Sequence, residues 1–539
     1  MTHVFMKGID RQQWVQTAPS PNAHAAGVSM ASDLRPAPYR HPFVFTLLNA
    51  TNLLRYNVVQ KGWHNLGSPA LAGTFGAGAT CCFLPSLGLT GSIGAGCTTT
   101  SIVTTTAMTS VAPNMLANRG GSGDYGYKIR IKGNAAGSSG KIEERWIVGN
   151  SSGTTPTIIL DSALTFTPAN GDTYEILAGR LWMLCAGTTA AGTSRTFEVA
   201  SNTYFSTSTT NLPATVGTDS FAVALDEQYV PYDSIPGEGF VTGASTYDGT
   251  TFNCILATAT GASSITGQAA AGDASVLANE YRNFQIRIVE DTVNVTAVGQ
   301  RRIIASHTAG ASPVYTLGAA WTVTPSANAK FVIEYPNLLL LRSSATTSVY
   351  TYNYSGASLT NGTGTIAADA WSATYFGVAG AAMAAGHMMF PSFGIRPDPG
   401  KYSRHSFVCS LRGGASTALD VLDIAGGTAG SWTTGNAYDG AVTTMPNTGS
   451  CACYAPNDNE GRFGYANMYT TAFVNQMYRF DVQNRVLAPV TPTDWIQSGT
   501  AAVGNRMATF CALDGTDKHT VVLLQSHLST VAQELVVEV

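Results

Sequence analysis

The sequence predicts an all-β chain built from a recurring strand unit and interrupted by two related β-domains. Three observations carry this. Period-two alternation bounded by Gly, Pro, Asn and Ser runs through the chain, as at Lys128–Lys132, Thr196–Val199 and Val349–Asn353. Apolar residues three and four apart, the mark of an amphipathic helix, are scarce. Residues 129–176 and 286–333 align without a gap at a constant offset of 157 (286 minus 129).

The repeat keeps its framework. The first copy reads Ile129-Arg130-Ile131, Arg145-Trp146-Ile147, Thr155-Pro156, Leu160, Thr165-Phe166-Thr167-Pro168 and Tyr174-Glu175-Ile176. The second reads Ile286-Arg287-Ile288, Arg302-Ile303-Ile304, Ser312-Pro313, Leu317, Thr322-Val323-Thr324-Pro325 and Phe331-Val332-Ile333. Alternation, prolines and turns persist. No His, Cys or acidic cluster does. A unit that keeps its frame and drops its polar detail is expected to be a building element, not a repeated catalytic site.

Composition narrows the class. Only 12% of the 539 residues are charged, about half the ~25% usual for a soluble domain. Gly, Ala, Ser and Thr fill the surface instead. Such a surface suits a subunit covered by neighbours. The net charge of -4 leaves no basic excess to hold nucleic acid through phosphate neutralisation. The nine cysteines, including adjacent Cys81-Cys82 and Cys451-x-Cys453, fit neither a disulfide framework nor a zinc site. They read as small buried hydrophobes, which implies assembly in a reducing compartment. The start, with Lys7 and Asp10, has no apolar signal region, and no apolar run reaches the ~18 residues of a membrane span.

The shorter recurring unit is an apolar-aromatic strand ending in Asn or Asp, then a turn, then Trp or Leu. It occurs at Tyr56-Asn57 with Trp63, Tyr352-Asn353 with Leu359, Leu422-Asp423 with Trp432, and Phe480-Asp481 with Leu487; Phe197-Glu198 is a variant. The pattern resembles kelch-type propeller blades. That resemblance implies a β-propeller of about five or six blades. The late copies are 58 (423 to 481) and 70 (353 to 423) residues apart, the early ones 141 (57 to 198) and 155 (198 to 353). The excess is about one repeat domain each time. Two homologous β-domains are therefore expected as insertions after early blades, tolerated because loop closure costs grow slowly with length.

The expected organisation is an extended N-terminal arm at 1–41, marked by Pro19, Pro21, Pro36 and Pro38, and a first blade at 42–86. The first insert spans 87–179, a blade 180–240, the second insert 241–336, and the remaining blades 337–539.

No catalytic, cofactor or metal site emerges. Gly149-Asn-Ser151-Ser-Gly153 matches a nucleophile elbow, but a strand follows where that motif needs a helix. Gly-rich Gly73–Gly78 lacks the context of a phosphate loop. Glu143-Glu144 and Asp226-Glu227 are adjacent carboxylates, and strand neighbours face opposite ways. Asp458-Asn-Glu460-Gly461 lacks the spacing of a calcium loop. His387 and His405 have no metal-ligand partners in sequence, and Tyr478 and Phe480 read as core.

The hairpin unit with its paired prolines, the low-charge surface and the blade series together resemble structural proteins of tailed-phage virions, in particular the propeller-containing nozzle proteins of short-tailed phages. That resemblance implies a non-enzymatic ring subunit in the virion tail, assembled in the host cytoplasm. It would bind copies of itself, an adaptor and fibres or spikes, and let DNA pass without specific binding. The alternatives are a host-receptor or glycan-binding fibre module and a secreted carbohydrate-active propeller enzyme.

Overall fold

A computed structural model describes the chain between 14 and 538, except 17–18, 22–28, 36–40, 49–50, 77, 110, 119–125, 135–137, 139, 186–188, 190–191, 207–210, 218, 230–244, 248–251, 268–276, 311, 344–345, 393–394, 399–400, 405–406, 415, 438–449, 456–462, 470–474, 482–485, 491–505, 512–518 and 526–531. Six four-stranded antiparallel sheets form the body. Their innermost strands are Met30–Ser32, Thr80–Leu84, Ser220–Leu225, Met388–Ser392, Cys451–Ala455 and Arg506–Cys511. Each packs on the next, and the last packs on the first, so the sheets fan around one axis. This is a β-propeller.

The blade unit has a physical basis. The polar residue ending the third strand caps the turn that follows. Asn57 Oδ1 accepts from the amides of Val59 and Gln60, Asn353 Oδ1 from Ser355, Asp423 Oδ1 from Ala425, and Glu198 from Ala200 and Ser201. Side chains of this kind satisfy turn amides locally. The preceding large residue then stands opposite a large residue of the outer strand: Tyr56 and Trp63, Phe197 and Tyr204, Leu422 and Trp432, Phe480 and Leu487. In the third blade the partner of Tyr352 is Trp371, not Leu359. Leu359 lies in a small hairpin that lengthens the connection before the outer strand.

Two further expectations change. Residues 1–41 do not form a free arm where they are described. Met30–Ser32 is the inner strand of the first blade, and Trp14–Gln16 pairs with Ala532–Glu538 as the outer strand of the sixth. Proline-rich connections masked these short strands in the sequence. The inserts also lie within blades, not between them. The first departs after Leu84 and returns at Arg180, which are register partners. The second departs after Leu225 and returns at Leu338, also partners. Each insert replaces a hairpin turn, where two adjacent chain ends make insertion cheap.

Each insert is a small closed antiparallel barrel. The second runs Phe252–Gly261, Ser264–Gly267, Val314–Leu317, Arg301–His307, Gln285–Glu290 and Lys330–Glu334, and the last pairs back with the first. The first follows the same order, closed by a bridge between Ile93 and Thr104. Bulges fall between Ile147 and Gly149 and between Ile304 and Ser306, positions again 157 apart (304 minus 147). Such bulges bend strands at barrel corners.

Polar detail is conserved as well as framework, contrary to expectation. Arg145 Nε donates to Ala163 O and Arg302 Nε to Ala320 O. Glu143 and Gln300 accept from the amides of Thr165 and Thr322. Asn150 Oδ1 accepts from Leu116 N, and His307 Nε2 from Tyr281 N. The chemistry is retained while residue types change, which hides it from letter-by-letter comparison. The first barrel has its own core around Ile129, Ile147 and Ile158. The second shares a continuous core with the second to fifth blades.

Candidate functional site

The axis offers little chemistry. Its cavity of about 90 Å³ is lined by the inner strands, among them Ala31, Cys82, Ala222, Met389, Cys453 and Ala508, and no lining residue is charged. Burial pushes the thiols of Cys82 and Cys453 well up. Thiols so held are unreactive.

The densest polar cluster lies where the two barrels meet. Glu227 begins a 3-10 turn directly after the inner strand of the third blade. Its carboxylate receives Arg130 Nη2 from the first barrel at 2.6 Å and Arg301 Nη2 from the second at 2.9 Å. Asn337 Nδ2, just before the returning strand, adds a bond of 3.2 Å. Arg130 also pairs with Glu144 at 2.8 Å and Glu175 at 3.3 Å. Arg287 forms a two-pronged pair with Glu334, both contacts at 2.9 Å. Arg130 and Arg287 are repeat equivalents (130 plus 157), so one ancestral position supplies a guanidinium from each side of the joint.

Burial alone would raise the Glu227 carboxyl, but Arg130, Arg301 and Arg287 outweigh it and hold the group well below the carboxylate range. Burial works against the Arg130 guanidinium too, yet Glu227, Glu144 and Glu175 raise it well above its ordinary value. Desolvating this many charges is expensive, and a hydrophobic contact would stabilise as well. What the ions add is orientation: they are satisfied only when both barrels sit in one arrangement.

The neighbouring Asp226 serves a different purpose. Its Oδ2 accepts from Ser86 N at 3.1 Å, Ser86 Oγ at 2.8 Å and Tyr354 Oη at 2.9 Å. Ser86 leads into the first barrel, so Asp226 ties the two roots together. Burial raises it to about 7. Asp226 and Glu227 thus face different partners, because the chain leaves the strand after Leu225 and turns at Glu227.

The other sequence candidates are structural. Ser151 sits in an exposed hairpin turn, its Oγ accepting from Thr157 N, with the strand Thr157–Leu160 following. Glu143 caps Thr165 and pairs with Arg145, whereas Glu144 joins the barrel cluster. His387 is buried beside Ala384 O. Phe480 packs edge-on against Phe390 at 5.7 Å, and Tyr478 is buried. His405 and Asp458–Gly461 lie outside the described residues. Among the described residues, no group of three His, Cys, Asp or Glu could hold a metal ion, and no helix is long and apolar enough to cross a membrane.

Sequence reasoning missed the joint, because its members are spread from Arg130 to Glu334. It also missed Asp33, Arg35 and His41, a buried trio in which Arg35 Nη2 lies 2.6 Å from Asp33 and His41 meets Ala178 O at the root of the first barrel.

No known family and no curated protein matches the chain. Among solved structures, Sqt1 from Saccharomyces cerevisiae is similar at 10% identity and TM-score 0.29, over 98% of this chain and 100% of that one. A mutant of NanB sialidase from Streptococcus pneumoniae is similar at 8% identity and TM-score 0.23, over 97% and 94%. The tricorn protease is similar at 10% identity and TM-score 0.16, over 94% and 47%. Likeness at this level carries no functional argument. The fold rests on the strand order and its cyclic closure.

Proposed function

We propose that this chain is a structural subunit of a phage virion, a tail nozzle or hub protein that assembles as a ring, extends the DNA channel and anchors fibres or spikes. One observation carries the proposal: two homologous barrels are planted at the same point of consecutive blades and tied to each other through Arg130 and Glu227. A chain that spends its densest buried chemistry on fixing two barrels against one propeller is suited to transmitting load between neighbours. The low surface charge and the apolar axis agree with this role.

In this role the propeller is the rigid body, the barrels are brackets for other subunits, and DNA passes a near-neutral wall without neutralising phosphates. No catalytic step is assigned. Native mass spectrometry and electron microscopy of the purified chain test the proposal. A closed ring of several copies, matched by a ring in virion images, is the expected result. A monomer at high concentration, with no such ring in virions, sinks it.

A further inference from the structure

Between the two barrels lies an open cleft of about 410 Å³, within the ~300–1,000 Å³ range of small-molecule sites. Arg130, Lys132, Arg287 and Arg301 line it, with Glu175 as the one carboxylate. We propose that this cleft binds an oxyanion-bearing ligand of monosaccharide size, its carboxylate or phosphate held between Lys132, Arg301 and Arg287. The proposal stands on the cleft itself and does not depend on the ring assignment.

The charge balance of the joint is the first argument. Its carboxylates are Glu144, Glu175, Glu227 and Glu334; its cations are Lys128, Arg130, Lys132, Arg287 and Arg301. Every cation except Lys132 has a carboxylate partner among the described residues. Burial, and after it the like charge of Arg301, lower the Lys132 ammonium from the ordinary lysine range. Two neighbouring cations with one positive charge left over suit a single oxyanion. They do not suit a polyanion, which would need a longer basic track.

Two buried donors at the cleft lack acceptors. Arg287 is 1% exposed, and its Nη1 makes no hydrogen bond with the protein. The Tyr174 hydroxyl, on the facing barrel, is likewise buried without a partner. Buried unmade hydrogen bonds are costly and are normally satisfied. Both residues line the cleft, and a small side-chain rotation would present either donor to a ligand oxygen.

Shape is the third. Two glycines make room for the polar side chains that line the cleft. A Cβ on Gly91 would lie 2.5 Å from Tyr174 Oη, and one on Gly299 would lie 3.1 Å from Lys132 Nζ. The hydroxyls of Thr90, Ser92 and Thr173 border the same cleft. Hydroxyls beside a cation cluster are the donors and acceptors that a sugar acid or sugar phosphate requires.

The test is calorimetric titration of the full-length protein with D-glucuronate, inorganic phosphate and D-glucose. Glucuronate or phosphate should bind more weakly as salt is raised, with glucose at least about tenfold weaker. Binding of glucuronate but not phosphate assigns a carboxylate ligand; the reverse assigns a phosphate. Lys132→Gln should weaken anion binding by about tenfold or more with an unchanged melting temperature, because Lys132 belongs to no ion pair of the joint, and Lys132→Arg should restore it. Tyr174→Phe, which removes only the hydroxyl, should weaken binding by a smaller factor. No binding of either anion at about 10 mM, or anion binding that neither Lys132→Gln nor Tyr174→Phe alters, overturns the proposal.

Discussion

Arg130 Nη2 and Glu227 Oε1 lie 2.6 Å apart, although one belongs to the first barrel and the other to the root of the second. Both side chains are almost wholly buried, at 6% and 0% exposure. Glu227 has no water to fall back on, and Arg130 has little. The contact therefore couples the placement of one barrel to that of the other, and removing one partner strands the rest.

Glu227→Gln should make this visible. Removing one member of a buried ion cluster typically costs about 3–5 kcal/mol, because the remaining charges stay buried and uncompensated. Two guanidinium groups, Arg130 and Arg301, lose the negative charge they share, and one of them faces an amide NH2 in place of an acceptor oxygen. Urea unfolding of the variant should show a loss of this size. A loss under about 1 kcal/mol would mean that water reaches the joint freely. The pH dependence has a sign too. The folded carboxyl is depressed, so its stabilisation is present above the ordinary carboxylate range and is lost as pH falls through the lowered value.

Asp226, one residue earlier, behaves oppositely. Its folded value is raised to about 7 from 3.8. A raised acid destabilises the fold once ionised, so stability should fall as pH rises from about 4 to about 7 and stay low above that. The span corresponds to roughly 4 kcal/mol. In Asp226→Asn this fall should vanish. The measurement is the difference between the two proteins in unfolding free energy at pH 4.5 and pH 8. A difference that does not change with pH would show that Asp226 stays ionised throughout.

The offset of 157 and the strand-ending Asn and Asp residues were legible because both are local: spacing within a barrel and capping within a turn survive as letters. The joint was not. Arg130 and Arg287 stand at matching places in the repeat, but only the fold brings them to one cluster with Glu227. Conserved function with changed residue also escaped notice, since Asn150 and His307 both accept a buried amide while sharing no chemistry by name. Trp14 and Trp371 were missed because a long connection separates each from its blade partner.

Gly179 closes the root of the first barrel. Its amide donates to Leu87 O at 2.8 Å, joining the outgoing and returning chains. Its φ is +78°, and a Cβ there would lie 2.3 Å from the Phe83 ring, a core residue. Gly179→Ala should therefore combine backbone strain with overpacking, at a cost of roughly 2 kcal/mol or more. Thermal unfolding reads the loss. The control is Gly171→Ala, which has positive φ but open space around it; it should cost about half as much or less. Equal costs would show that Phe83 yields easily.

The ring of blades is closed by chain segments from opposite ends. Trp14, Val15 and Gln16 stand in register with Leu535, Glu534 and Gln533, so the sixth blade is complete only when its outer strand arrives from the start of the chain. Without it, the strand Ala532–Glu538 would present an unpaired edge carrying the apolar run Leu535-Val536-Val537, which invites pairing with another chain. Deleting residues 1–16 should therefore lower the melting temperature and promote concentration-dependent association, both read by thermal scanning and size-exclusion chromatography. Supplying the missing strand as a separate peptide should return melting and elution to those of the full chain only if the register is as described. A peptide carrying Val15→Pro, which lacks one ladder donor, should restore less. If the truncated chain melts and elutes like the full one, closure does not depend on this strand.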